Sequence, residues 1–413
     1  MPLSEVSPPW YASPYGGLFG RCGPVPRRPH DPAVFAWSGT LPHWGPGGAD
    51  LATGGAGWDE ESAELAGVGE AVERWLPHPL PQDGGVEAAY DCWPLDEPAV
   101  EPGRWVHFHA EQYAQPGFPF EPCARRTRCR WVCCRRLGTG EAWWAPEEMV
   151  FLSTRSGARQ RLTPGLSTGL SCGRVGDPVL LRGLQEVIER DALVGAWWGR
   201  YALEEHEPEK VFAGLGGDLP TRLRRPNLRY RCYRVASPFS SHVTLVTLAG
   251  QDREGHCFSA GSACRETRAA SWRKGFLEAV QGRHYVRYLK AAGAASEGPP
   301  ADFAGHAVYY SLHPEELGRT PLEHARPANT EGEGTEEGWP ELAERLGSER
   351  PVLFRHLTPP PLAAEGLGWV VLRVLVPGLQ PLHGHHGYPF LGGPLWAPRG
   401  TADWQAVPPH PFP

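Results

Sequence analysis

The apolar positions of this chain fall into a few dense groups, and the three densest read as helices. Over residues 59–76, Leu65, Ala66, Val68, Val72 and Trp75 supply the apolar face. Asp59, Glu60 and Glu61 load the first turn of that segment with negative charge, which suits the helix dipole. Residues 178–200 form the strongest helical stretch, with Leu180, Leu181, Leu184, Val187, Ile188, Ala192, Val194, Trp197 and Trp198. Residues 267–291 are the third. Residues 130–137, the turn Gly138-Thr-Gly140 and residues 141–144 read as a hairpin. Residues 228–235 and 241–249 read as a strand pair, and 370–376 as a short buried strand. Residues 1–50 suggest short strands and turns, while 293–300 and 328–338 read as small, acidic loops. Everything after Pro377 is rich in Gly, Pro and His. The mixture predicts an α+β fold.

Within the three helices the polar positions repeat one pattern. It appears as Gly69-Glu-Ala-Val-Glu-Arg-Trp75, as Gln185-Glu-Val-Ile-Glu-Arg-Asp191, and as Glu278-Ala-Val-Gln-Gly-Arg283. Glu70 and Glu73 are three residues apart, as are Glu186 and Glu189, so each pair leaves its helix on one side. Arg74 and Arg190 follow one step on. A single copy of this pattern is ordinarily a solvated face with i,i+4 pairs. The second copy, however, sits where the helix is apolar on nearly every side, and a carboxylate sunk there needs a partner or a metal. Two carboxylate pairs and a Glu/Gln pair can converge on one polycationic object, and magnesium carrying nucleotide phosphates is the obvious one. Convergence would also make residues 1–413 a single large domain, since the helices span more than half of the chain. Its expected parts are an irregular segment 1–50, a core 51–376 and a Pro-rich segment 377–413.

Composition narrows the classes. Hydrophobic residues make up 41% and there are 17 Trp, as in a globular protein. A net charge of −7 leaves no excess of positive charge for nucleic acid. Lys is nearly absent (Lys210, Lys274 and Lys290), with Arg used instead. The first residues carry no basic or apolar signal region, and the most apolar stretch, 369–378, reads as a strand, so neither export nor a membrane span is expected. A cytoplasmic location follows, with the ten Cys mostly free thiols. Cys123, Cys129, Cys133 and Cys134 contain no C-x-x-C pair and read as buried strand thiols in preference to a zinc site. His383, His385 and His386 have no carboxylate or Cys at ligand spacing, and read as a loop near the active site.

Two other features are ambiguous. Ser167-Thr-Gly-Leu-Ser-Cys-Gly173 reads either as a phosphate-approaching loop at a helix N-terminus or as an ordinary strand-to-helix turn. It lacks the Walker Lys, and Gly54-Gly-Ala-Gly57 is an equally weak signal. The ending Pro409-x-Pro411-x-Pro413 fixes a stiff extended backbone that can deliver a terminal carboxylate to a defined place.

Four blocks in order resemble the YcaO family, ATP-dependent enzymes that activate backbone amides of ribosomally made peptides. They are Gly57–Arg74, Ser167–Ala192, Gly261–Arg283 and Val376–His383. The resemblance implies the YcaO-type fold, with mixed sheets and helices around a central ATP/Mg2+ site. It assigns Glu70, Glu73, Glu186 and Glu189 to magnesium, and Ser171, Arg74, Glu186, Arg190, Gln281 and Arg283 to nucleotide and phosphates. The P-x-P-x-P ending is similar to that of the azoline-forming cyclodehydratases, which makes the Pro413 carboxylate a catalytic candidate.

The implied reaction converts Cys, Ser or Thr of a precursor peptide to thiazoline or oxazoline. The implied partners are a separate leader-peptide-binding (E1-like, ThiF-like) protein, a flavin-dependent azoline dehydrogenase and a second copy in a homodimer. Three positions depart from the family pattern: Ala56 replaces a Lys, Arg174 an Asn, and Pro178 a Glu that Asp177 beside it could replace. These departures keep two alternatives open, a thioamide- or amidine-forming relative and a non-catalytic scaffold.

Overall fold

The computed structural model describes residues 10–12, 17–42, 51–154, 161–294, 298–328, 334–359, 368–396 and 399–412. Its three main helices carry the repeated motif. The first spans Glu60–Trp75, the second Val179–Trp197 and the third Arg268–Ala291. Asp59 caps the first by accepting the Ser62 N–H at 2.7 Å, with Ser62 Oγ facing back to the Asp59 N–H in a capping box. Thr267 caps the third by accepting the Ala270 N–H at 3.2 Å. The second helix stops at Trp197, short of the expected residue 200, because Gly199 turns the chain through φ +69°.

Three sheets hold these helices. An antiparallel sheet of Arg21–Pro24, Phe35–Leu41 and Leu51–Gly57 lies under the first helix. A five-stranded sheet runs in the order Gly255–Cys264, Val243–Asp252, Leu228–Val235, Leu203–His206 and Arg326–Pro327, with the third helix on its leading strands. The six-stranded sheet runs Val86–Ala88, Cys129–Arg136, Leu353–His356, Trp369–Leu375 and Leu170–Arg174, and Ala142–Pro146 pairs with Cys129–Arg136. The second helix packs on its last two strands and reaches Gly255–Cys264 of the five-stranded sheet.

The expected hairpin is present in the register Cys133↔Trp144. Strand Gly255–Cys264 and helix Phe303–Leu312 were not anticipated. The expected loops 293–300 and 328–338 fall partly outside the described residues, as does much of 1–50.

Each motif helix buries its apolar side in its own cluster. Leu184, Ile188 and Leu193 join Tyr233, Val243, Trp396 and Phe412. Val68, Ala71 and Val72 meet Trp37, Val132, Leu170 and Val371. Phe276, Ala279 and Val280 meet Phe212, Leu223 and Val246. Full burial of each large aliphatic or aromatic side chain contributes about 1.5–3 kcal/mol, so these faces fix the rotation of each helix and hence where its glutamates point.

Glycine lets two helices come close enough for the motifs to meet their sheets. A Cβ on Gly55 would lie 2.2 Å from the Gly67 nitrogen, and one on Gly261 would lie 2.1 Å from the Ala279 nitrogen. Strand and helix backbones are in near contact at both places. The Gly54–Gly57 run is therefore a packing device for the first helix.

Candidate active site

The first and second helices bring Glu70, Glu73 and Glu186 together with Arg74, Arg190 and Arg373. Arg74 lies 3.6 Å from Glu70 and 3.7 Å from Glu73, and Arg190 lies 3.7 Å from Glu186. Protein surrounds the group, yet the side chains of Glu73 and Glu186 keep 18% and 25% of their surface exposed. The place is a crevice open to solvent.

Electrostatics there are unresolved. Burial pushes Glu73 up to about 8, with Glu186 and Glu70 adding repulsion that Arg74 and Arg373 do not cancel. Burial raises Glu186 as well, against Arg190, with Glu189 adding to the rise. Burial would lower Arg74, but Glu73, Glu70 and Glu186 more than offset it. Among the described residues, neither Glu73 nor Glu186 accepts a hydrogen bond. Two carboxylates without donors, pressed into one crevice, are a donor set for a hard divalent cation.

The other expected residues divide. Glu70 accepts the Gly54 N–H at 2.7 Å, which fixes its position beside the crevice. Gln281 on the third helix reaches the same spot, its amide nitrogen 3.3 Å from where a Gly54 Cβ would stand. Glu189 turns to the neighbouring strand, taking the Ser262 hydroxyl at 2.5 Å and the Cys264 N–H at 2.9 Å. Ser171 Oγ is buried, has no hydrogen-bond partner among the described residues and lies 2.9 Å from a Cβ placed on Gly183 of the second helix. Its neighbour Cys172 is the residue on that strand that feels Glu73.

Arg283 is committed elsewhere. It donates to Asp252 Oδ2 at 2.6 Å and to the Cys257 carbonyl at 3.2 Å, and nothing among the described residues joins it to the glutamates. Pro413 lies outside the described residues. The tail before it is firmly held: Trp197 Nε1 donates to the Pro408 carbonyl at 2.7 Å and the Tyr310 hydroxyl to the Pro409 carbonyl at 2.6 Å. Trp197 stands about three helical turns beyond Glu186.

The sequence profile of the YcaO cyclodehydratase family, described as ATP- and Mg2+-binding, matches residues 54–380. The chain belongs to the YcaO family. ATP and Mg2+ are accordingly the cofactors to be placed, and the α+β architecture is that of solved YcaO and heterocyclase structures. A heterocyclase in complex with substrate and cofactor superposes with TM-score 0.73 at 15% identity, covering 98% of this chain and 56% of that one. The chain thus spans little more than half of that heterocyclase. YcaO from Methanopyrus kandleri, bound with AMPPCP and Mg2+, gives TM-score 0.57 at 19% identity over 88% of this chain and 86% of that one. The E. coli microcin synthetase McbBCD complex gives 0.62 at 14% identity, over 95% and 96%. No curated protein matches the chain by sequence.

Two residues at this YcaO crevice were missed or underweighted in the sequence. Arg373 is fully buried and donates to the carbonyls of Met149 at 3.0 Å, Thr168 at 2.9 Å and Leu166 at 2.5 Å. Burial lowers it to about 10 against the pull of Glu186 and Glu73. A lone Arg in the apolar strand Trp369–Leu375 was the available signal. Glu278 pairs with Lys274; burial would raise it, but Lys274, Arg265 and Arg190 hold it below the usual carboxylate range.

The positions that depart from the family pattern serve local structure. Asp177 accepts the Arg174 N–H at 2.6 Å, closing the turn into the helix, and the Arg174 guanidinium lies over Trp369 at 4.8 Å. Ala56 is buried in its sheet. Surface clefts of 360 and 460 Å³ lie elsewhere, beside Trp37 and Glu64 and beside Val175 and Trp339, and no motif glutamate lines either. Among the described residues no helix is long and apolar enough to cross a membrane.

Proposed function

We propose that this YcaO protein is an ATP-dependent cyclodehydratase that converts Cys, or Ser and Thr, of a ribosomally made peptide into azolines. The observation that carries the reading is the pair Glu73 and Glu186, raised by burial, without hydrogen-bond donors, and open to solvent on one side. Glu70 and Glu189 stand beside them, each needing to exchange a backbone or hydroxyl donor before ligating. In this reading Arg74, Arg190 and Gln281 orient phosphates.

In this reading the peptide's thiol or hydroxyl attacks the preceding amide carbonyl, and the resulting oxyanion takes the γ-phosphoryl group of ATP. That attack closes the ring; phosphate then leaves with the former carbonyl oxygen while the amide nitrogen gives up its proton, forming the C=N bond of the azoline. Magnesium held by the glutamates supplies charge screening for the transferring group. The chain's own residues bind, orient and hold protons: Glu73, protonated at neutral pH when the crevice has no cation, releases its proton as one binds. The Pro413 carboxylate is the candidate base in this reading.

The likeness to the McbBCD complex supports a reading in which a separate leader-binding protein presents the peptide. A flavin-dependent dehydrogenase acting afterwards, a homodimer, a single domain over 1–413 and a cytoplasmic location belong to the same reading. The scaffold alternative has one observation on its side, the engagement of Arg174 and Asp177 in a turn.

Incubation with ATP, Mg2+, a peptide encoded beside this gene and its leader-binding neighbour distinguishes them. Loss of one water mass per modified residue, coupled to phosphate release, is expected. Nucleotide binding with no mass loss would favour the scaffold, and a thioamide or amidine mass change would move the chain to the other branch.

A further inference from the structure

Arg373 is 1% exposed, and among the described residues no carboxylate lies at ion-pair distance from it. Its three nitrogens each donate to a backbone carbonyl instead: Nε to Met149 at 3.0 Å, Nη1 to Thr168 at 2.9 Å and Nη2 to Leu166 at 2.5 Å. The acids that act on it from further away are Glu186 and Glu73. Burying a charge without a close counter-ion is costly, and an apolar side chain would suit the strand Trp369–Leu375 better. The guanidinium therefore does something that an apolar residue there would not.

Two of the carbonyls it holds belong to the turn that leads into the Ser171 strand. The Leu170 N–H donates to the Ser167 carbonyl at 2.8 Å, and Gly169 takes φ +83°, so Ser167–Leu170 is a tight turn with glycine at its third position. A Cβ on Gly169 would lie 2.1 Å from the Val374 carbonyl oxygen and 2.8 Å from Cγ2 of Val187, the residue after Glu186. The turn is wedged between the Arg373 strand and the helix that carries Glu186. In the antiparallel register Arg373 faces Leu170, and Leu372 faces Ser171. The C=O and N–H of a planar trans peptide point in opposite directions. With the Leu166 and Thr168 carbonyls drawn to the guanidinium, the Ser167 and Gly169 N–H groups point away from it. Neither has an acceptor among the described residues, and Ser171 Oγ two residues on has no partner among them either. Turn N–H groups left over in this way are donors for an anion.

We propose that Arg373 is a positioning residue for nucleotide binding, setting the 166–169 peptides so that the turn and Ser171 meet the phosphates. This rests on the nucleotide-site reading above and adds to it a residue that touches neither nucleotide nor metal. Arginine suits the task because its planar fork reaches three carbonyls at once, which a single ammonium does not. Its charge strengthens each of those hydrogen bonds, so the peptides are held in one orientation.

The test is calorimetric binding of a non-hydrolysable ATP analogue with Mg2+ to the full chain, with amide hydrogen exchange of residues 166–171 followed in parallel. Arg373→Lys keeps the charge and the stem but loses the fork. Its Tm should stay close to that of the unaltered chain, while the analogue binds about 10–100-fold more weakly, the loss typical of a group behind a metal's ligands. A purely structural arginine would shift the Tm and leave the affinity of the folded chain unchanged. In the unaltered chain the Ser167 and Gly169 amides should exchange more slowly once the analogue is bound. Undiminished affinity in folded Arg373→Lys, or exchange at these two amides that the analogue does not slow, overturns the proposal. The exchange measurement needs no variant, so a misfolded Arg373→Lys does not rescue it. If the unaltered chain binds no Mg2+-nucleotide, the nucleotide-site reading fails and this inference with it; binding without either effect overturns this inference alone.

Discussion

Two charged groups on the motif helices have opposite fates. On the third helix, Arg283 and Arg287 meet Asp252 and Asp31 in a closed network: Arg287 donates to both Asp31 oxygens at 3.0 and 2.9 Å, and Arg283 to Asp252 at 2.6 Å. Burial alone would raise Asp31, but Arg287 and the Arg28 N–H hold it below the usual carboxylate value. Between the first and second helices, Glu73 and Glu186 are also surrounded by protein, yet they lack donors and are raised. Charges that satisfy one another hold a fold together, and charges left unsatisfied in a crevice that water can enter are kept for a ligand. The motif letters look alike in both places, and only the partners differ.

Breaking the closed network should have the largest effect. Arg287→Ala leaves Asp31 buried and unpaired and should cost about 3–5 kcal/mol in denaturant unfolding. Breaking the open group should spare the fold and remove the chemistry. Glu186→Gln should lower peptide-dependent phosphate release by at least about 100-fold, beyond what loss of a metal's outer partner costs.

The pH responses should also be opposite. The folded, cation-free chain holds a proton on Glu73 that the unfolded chain has released. Its contribution to stability therefore falls as pH climbs from about 4.5 to about 8. Asp31, being lowered, contributes stability above its unfolded value near 3.8 that is lost as pH falls through its folded value. Glu73→Gln should accordingly raise the Tm of the cation-free protein by a few degrees near pH 8, a gain that shrinks toward acid. The smallest effect expected is for Thr267→Ala, which removes a helix cap at about 1 kcal/mol and leaves nucleotide binding alone.

The helices were legible because apolar periodicity and first-turn acids are local signals. Strand Gly255–Cys264 was not, since its small residues Gly261, Ser262 and Ala263 carry no strand pattern. Gly261 is small because the third helix lies against it, a tertiary reason invisible in a window. The carboxylates of the crevice were legible as a repeated motif. Which of them turn to a strand (Glu189) and which Arg joins a structural pair (Arg283) depended on facing elements. Arg373 was visible only as a misfit in an apolar strand.

The most direct test is calorimetric binding of a non-hydrolysable ATP analogue, with and without Mg2+, at about pH 6 and about pH 8. Binding should require Mg2+, release protons and tighten toward the higher pH as Glu73 loses its proton, and Glu73→Gln should abolish the proton release and the pH dependence. Equal affinity at both pH values with no proton release, or an unaltered Glu73→Gln, would contradict the account.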